Sequence, residues 1–394
     1  MHSVIYLKIT LLASLEFSFV INVFTSNRSA NWKSIYLMKK NVVSIVILDF
    51  SSHGGVRVII NIANILAESG YDIHIYSSRK PTKMPYELSP MVKVHYATKL
   101  KNKVLAFLIY PFLLPFILTG DILISTFYYV RLPTKMASIL RKSEYFYFIQ
   151  GVECFRSGGI LNILNFLCKA SLNEKKIFAS NRYLSKEVFK KNGRKINFIN
   201  VGPSSIFFKK ELTTKIKIFD IVYFARGEKF KRLDLFLDLF SNNEFLEKQL
   251  KIVIITLDIE LANNLKSMNL QGCKIISPSD DNELISIIDQ SKLLFFTSEY
   301  EGLGLPPLEC MLRGLPVVTY KTYPLTDYFN NSELSNLLVD NTTSAVSAIN
   351  NILFSPELYS NYSKMSKNLV QGQFSENYAD EFIKYINNGT LNDS

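Results

Sequence analysis

Residues 298–318 leave this chain little freedom in how it folds. They read Ser-Glu-Tyr-Glu-Gly-Leu-Gly-Leu-Pro-Pro-Leu-Glu-Cys-Met-Leu-Arg-Gly-Leu-Pro-Val-Val. The apolar run Leu293–Ser298 has the size of a buried strand. Gly302 and Gly304 interrupt it and let backbone come close to a ligand. Pro306 and Pro307 suit the first turn of a helix, where N–H groups have no intrahelical partner. Gly314 closes that helix after about two turns, and Pro316–Tyr320 opens the next strand. A glycine loop entering a helix N-terminus gathers unpaired N–H groups and the positive end of the helix dipole, which suits an anion. Two carboxylates flank it, Glu301 before the loop and Glu309 one turn into the helix. Acids beside an anion site make sense when they accept hydrogen bonds from hydroxyls, and sugar and ribose hydroxyls are such donors. The stretch therefore reads as a nucleotide-sugar site, with diphosphate on the amides of Gly302, Leu303, Gly304 and Leu305 and a carboxylate at each ring. The plain alternative, a surface turn with chance acids, leaves the agreement of strands, glycines and acids unexplained.

The chain has 394 residues, enough for two domains. A hydrophobic content of 48% supplies large cores. The net charge of +11 suits anionic partners: nucleotide diphosphates, anionic lipid surfaces or nucleic acid. No nucleic-acid module is present and the aromatics lie in strand-like runs, so nucleic acid is not expected as a partner. Cys154, Cys168, Cys273 and Cys310 show no CxxC spacing, which points to free thiols in a cytosolic protein and to no structural metal.

Residues 1–37 differ from the rest. Leu11–Phe24 is apolar but broken by Glu16 and Ser18, too short and interrupted for a membrane span. A signal peptide and a true start at Met38-Lys-Lys both stay open, and the second is preferred. From there, strand-sized and helix-sized segments alternate. Val42–Leu48 is a strand buried on both faces. His53, Gly54 and Gly55 form a glycine loop, a helix runs to about Glu68, and Tyr71–Tyr76 is the next strand. That is a βαβ unit with a glycine loop at a strand's carboxyl end, where open α/β sheets bind ligands. His53 also reads as a loop histidine without chemistry. Val92–Ala97 is strand-like. Val104–Thr119 is apolar throughout, holds Pro111 and Pro115, and follows Lys99, Lys101 and Lys103. Residues 99–119 read either as a kinked core helix or as an interfacial helix on an anionic membrane surface. Further strands fall at Asp121–Thr126, Tyr145–Ile149, Lys176–Ser180 and Phe198–Val201, with helices over Leu161–Ser171 and Tyr183–Lys190. Residues 204–216 form a lysine-rich linker. A second alternation begins at Lys217–Phe224. Ala225-Arg-Gly-Glu-Lys-Phe-Lys-Arg follows that strand and puts Arg226 and Lys231 at its ligand edge, ahead of a helix through Phe240. Strands at Lys251–Thr256 and Cys273–Ser277, and helices at Asp281–Gln290, Thr343–Phe354 and Ala379–Asn387, complete the pattern.

These residues resemble glycosyltransferase family 4, the retaining GT-B glycosyltransferases with an E-x7-E signature. Glu301 and Glu309 stand at the two acids, and Gly302–Leu305 is similar to the usual Gly-Phe-Gly-Leu with Leu303 for Phe. Gly54 and Gly55 resemble the glycine loop of the first domain, at diphosphate and acceptor. Arg226 and Lys231 resemble the family's diphosphate-binding Arg and Lys, with Ala225 and Arg232 replacing its glycines. Many relatives carry His or Asp at the end of the strand Tyr145–Ile149. Gln150 and Glu153 stand there instead, which leaves that role open.

The resemblance implies a GT-B fold, two doubly wound Rossmann-like domains facing across a cleft. Its layout is an extension over 1–37, an acceptor domain over 38–203, a linker over 204–216, a donor domain over 217–373, and a C-terminal helix over 374–394 that crosses back. It implies transfer of a sugar from a nucleotide-diphosphate sugar to a hydroxyl of a saccharide or lipid-linked saccharide, with no cofactor and no metal. Glu301 would contact the transferred sugar, Glu309 the ribose, and Arg226 and Lys231 the leaving phosphate. Residues 277–281 would hold the base. If the reaction retains configuration, the departing phosphate takes the acceptor proton. If it inverts, Asp49, His53 or Glu153 must serve. The setting implied is the cytoplasm, or its membrane face, in bacterial capsule, O-antigen or lipopolysaccharide synthesis. Two rivals remain: a nucleotide-sugar epimerase or phosphorylase on the same scaffold, and a non-catalytic binding subunit.

Overall fold

The structure is a computed structural model that describes residues 41–51, 54–82, 84–151, 169–209, 211, 216–330, 332–376 and 378–388. The expectations for residues 1–37, for His53 and Glu153, and for most of the helix at 161–171 fall outside them.

The first sheet grows from β1 (Val42–Val46), whose Val43, Ile45 and Val46 are sealed from solvent. A strand apolar on both faces must be covered on both, and parallel neighbours joined by helices achieve this. The order is α1 (Gly54–Glu68), β2 (Asp72–Arg79), β3 (Lys93–Thr98), α2 (Lys103–Ile117), β4 (Ile122–Ser125), α3 (Tyr128–Arg141), β5 (Glu144–Ile149), β6 (Ile177–Ala179), α4 (Arg182–Asn192), β7 (Asn197–Phe198) and α5 (Ser205–Lys209). All pairs are parallel, in the order β3-β2-β1-β4-β5-β6-β7. Ile45 is in register with Ile75 on one side and Ile124 on the other, so β1 lies in the middle of an aliphatic layer.

The second sheet repeats the plan. Its elements are β8 (Phe219–Phe224), α6 (Leu233–Leu237), α7 (Asn243–Glu247), β9 (Ile252–Ile255), α8 (Ile259–Ser267), β10 (Cys273–Ile276), α9 (Asp281–Asp289), β11 (Ser291–Phe296), α10 (Leu305–Leu312), β12 (Val317–Tyr320), α11 (Leu325–Phe329), β13 (Leu338–Val339), α12 (Thr342–Phe354), α13 (Pro356–Gln373) and α14 (Tyr378–Asn388). The strand order is β10-β9-β8-β11-β12-β13, again all parallel. In both sheets the order reverses beside the first strand, at β1/β4 and β8/β11. Open α/β sheets bind ligands at the carboxyl ends of such pairs. The two doubly wound sheets expected from the sequence are thus present.

Four local readings need correction. The helix expected through Phe240 is broken: Arg232 takes a left-handed conformation at φ 51°, and short pieces follow, ended by the Asn242 cap on Phe245. The linker carries a helical turn, α5, which buries Phe207. Two long helices were not foreseen. One is α3, whose start at Phe127 has no side-chain cap and whose interior holds Pro133. The other is α13, which buries only Ser366 and Val370 and so shows little apolar stripe. Helix α14 returns to the first sheet. Phe382 and Tyr385 pack on Phe178 with ring centroids 5.4 and 4.6 Å apart, and the Tyr385 hydroxyl donates to Ile177 O at 3.1 Å.

Candidate functional site

A cavity of about 1620 Å³ opens where the carboxyl ends of both sheets face each other. Arg226 and Lys231, Glu301 and Glu309, and Gly54, Gly55 and Gln150 all line it. The residues singled out in the sequence that the structure describes are thereby brought to one place.

The loop after β11 is held from three directions. Glu299 N–H donates to Phe230 O at 2.8 Å, Thr297 Oγ1 to Lys231 O at 2.8 Å, and Glu301 N–H to Tyr323 O at 2.8 Å. The first two tie this loop to the loop after β8. Lys231 Nζ consequently lies 2.6 Å from Glu301 Oε1. Its ammonium also sits 5.0 Å from the Phe230 ring centroid, and Phe230 stacks on Tyr300. Gly304 starts α10 at φ 74°, a left-handed conformation that costs other residues energy. No side chain caps α10; Pro306 and Pro307 carry no N–H, so of its first three residues only Leu305, which lines the cavity, has one to offer.

Gly302 brings the two halves close together. A Cβ there would lie 2.2 Å from Gln150 O. Its carbonyl accepts from Asn181 Nδ2 at 2.5 Å. Nearby, a Cβ on Gly54 would lie 3.3 Å from Leu305 Cδ1, so the two glycine loops oppose each other. Asp49, at the end of the β1 segment, lines the cavity and pairs with Lys103 at 2.9 Å.

Glu309 is 1% exposed. Burial pushes its carboxyl up to about 7; the Arg57 guanidinium opposes the rise and Asp281 adds to it. Arg57, also buried, places Nη1 2.9 Å from Glu309 Oε1 and Nη2 2.8 Å from Asp281 Oδ1. Burial works against its charge, but Glu309 and Asp281 outweigh it and its pKa is raised. Burial raises the Tyr86 phenol beside it. Arg57, Tyr86 and Asn181 escaped the sequence reading, and Asp281 was expected only as the end of the base-binding loop 277–281. Arg57 had a visible signal: it is a cation inside the apolar run Val56–Ile60, just after a glycine loop. Among the described residues no group of three or more His, Cys, Asp or Glu is placed to hold a metal ion.

Residues 205–369 match the family model described as Glycosyl transferases group 1. That span contains Arg226, Lys231, Glu301 and Glu309. A curated relative from Haemophilus influenzae, described as an uncharacterized glycosyltransferase, is 25% identical over 370 residues, 88% of this chain and 98% of the relative. Solved structures agree in fold. Sucrose-phosphate synthase from Thermosynechococcus elongatus superposes with a TM-score of 0.69 at 14% identity, over 88% of this chain and 98% of that one. Anabaena HepE in complex with UDP and glucose gives 0.67 at 13%, over 88% and 99%. WaaG, a glycosyltransferase involved in lipopolysaccharide biosynthesis, gives 0.65 at 14%, over 88% and 100%. The fold is that of the GT-B glycosyltransferases, and the family match supports a glycosyltransferase.

Proposed function

We propose that this chain transfers a sugar from a nucleotide-diphosphate sugar to a hydroxyl acceptor, with retention of configuration and without a divalent metal or cofactor. The observation that carries this reading is the convergence of two cations, two carboxylates and a helix N-terminus on one cavity at two switch points. In the reaction the bond from the anomeric carbon to the phosphate oxygen breaks. The bond to the acceptor oxygen forms, and the acceptor proton passes to the departing phosphate. Arg226, Lys231 and the amides of Gly302–Leu305 stabilise the charge that grows on that phosphate. Glu301 accepts from hydroxyls of the transferred sugar and, through its pairing with Lys231, keeps that cation aimed at the phosphate. Glu309 accepts from the ribose. Gly54, Gly55 and Gln150 face the acceptor and diphosphate from the other side.

The reading extends to family 4 and to bacterial surface polysaccharide synthesis; the involvement of WaaG in lipopolysaccharide biosynthesis supports this. The acceptor side is proposed to work on the cytoplasmic membrane face. No helix among the described residues is long and apolar enough to cross a membrane. Yet α2 and α3 together expose Phe112 and Phe116 at 75% and 77%, and Ile139 and Leu140 at 70% and 67%. Exposed Lys99, Lys101 and Lys103 lie at the start of α2, and exposed Lys142 ends α3. An apolar face bordered by cations suits an interface with anionic headgroups.

The test is incubation with UDP-, GDP-, dTDP- and ADP-sugars in excess EDTA, read by proton NMR. Release of a sugar with the anomeric configuration of its donor is the expected outcome. An inverted product would move the base role to Asp49, His53 or Glu153. Appearance of an epimer from donor alone would replace the transferase reading.

A further inference from the structure

The sequence motifs account for Glu309 but not for what holds it. One guanidinium from the first half stands between two carboxylates of the second. Arg57 lies on α1, Glu309 on α10, and Asp281 at the start of α9. All three line the cavity. The guanidinium carbon sits 5.6 Å from the Tyr86 ring centroid and 5.1 Å from that of Phe207. It therefore has little room to swing away.

The cluster has one positive and two negative charges; Asp281 keeps 32% of its side chain exposed, whereas Arg57 and Glu309 are buried, and a buried charge is costly unless further donors reach it. Its geometry leaves room for such a donor. Glu309 Oε1 touches Arg57 Nη1 at 2.9 Å without the alignment of a hydrogen bond, and Arg57 Nε has no hydrogen-bond partner among the described residues. A hydroxyl both donates and accepts, so an alcohol suits this pair better than an anion or a cation. A pair of neighbouring hydroxyls on one ring suits it better still.

We propose that Arg57 is a positioning residue that sets donor specificity: reaching across the cleft, it fixes and charges Glu309, so that the nucleotide's ribose hydroxyls are read only when the two halves are closed together. This rests on the reading of Glu309 as the ribose carboxylate. The groups that face Glu309 are Arg57, Asp281, the Tyr86 phenol and the Cys310 thiol. Of these, Arg57 lowers the carboxyl's proton affinity and Asp281 raises it. Loss of Arg57 must then leave Glu309 protonated at neutral pH, while loss of Asp281 must keep it ionised to lower pH.

The experiment is calorimetry between pH 5.5 and 8.5 with UDP and GDP and their 2′-deoxy and 3′-deoxy counterparts. It is run on the full chain and on Arg57→Gln, Arg57→Lys and Asp281→Asn. The wild type is expected to prefer a ribonucleotide to a deoxy form by about tenfold or more, with affinity falling as pH drops through about 7. In Arg57→Gln the preference should shrink toward unity and the fall should move to higher pH. Arg57→Lys should restore part of both, and Asp281→Asn should move the fall to lower pH. A merely structural Arg57 would weaken ribo and deoxy forms equally and leave the pH midpoint in place; that result overturns the proposal. Should Arg57→Gln fail to fold, an unmoved midpoint in Asp281→Asn does the same. If the wild type binds no nucleotide, the reading of Glu309 falls first and this proposal with it. If the wild type binds and the ratios do not change, this proposal falls alone.

Discussion

Burial gives Glu309 a cost that depends on pH. Its carboxyl holds a proton more tightly when folded than when unfolded, about 7 against 4.5. Stability should therefore fall as pH rises from about 4.5 to about 7, because the unfolded state loses the proton first. A shift of that size is worth about 3 kcal/mol at pH 8. Glu309→Gln copies the protonated form. It is expected to melt several degrees above the wild type at pH 8 and to converge with it at pH 4.5, in calorimetric scans. Equal melting curves at pH 8 would mean that Glu309 is charged at no cost. The residue scale is also where the sequence was read least completely. Glu301 and Glu309 stand out because local spacing places both beside one helix end. Arg57 does not, because its meaning comes from carboxylates at 281 and 309, which only the closed tertiary fold brings near.

At the scale of elements, the glycine loops and the paired helices matter most. Gly302 is required by closeness: its missing Cβ is where Gln150 O would collide. Gly302→Ala should therefore push the two halves apart while leaving both sheets intact. The expected result is a loss of about tenfold or more in kcat/KM with a small change in melting temperature. Unchanged turnover would show that closure at this point is not needed. The second pair of elements is α2 and α3. The sequence marked α2 by its apolar run but missed α3, since Pro133 and an uncapped start hid the helix that doubles the exposed apolar face. Phe112→Ser combined with Phe116→Ser should lower recovery with vesicles containing anionic lipid in a flotation assay. Equal recovery of wild type and variant, or equal recovery without anionic lipid, would remove the membrane role. The parallel strands, apart from the two-residue β13, were legible to within a few residues, because continuous apolar runs bounded by glycine or charge leave few other readings.

At the scale of the whole molecule, the halves are joined on two sides. Asn181 binds Gly302 O, Lys186 pairs with Asp327 at 2.8 Å, and Tyr183 stacks on Tyr323 with centroids 5.1 Å apart. Helix α14 fastens the far side through Phe382 and Tyr385. The order of elements made two doubly wound sheets foreseeable. Apart from the returning C-terminal helix, the contacts that close them were not, since they join residues far apart in the chain whose pairing no periodicity records. In the proposed function, the cavity between the sheets grips a sugar-bearing nucleoside diphosphate through Glu309. Calorimetric titration of UDP-, GDP-, dTDP- and ADP-sugars into the wild type and into Glu309→Ala tests it directly. At least one donor should bind the wild type and give no measurable binding to the variant. Equal binding to both, or none to the folded wild type, would contradict the claim.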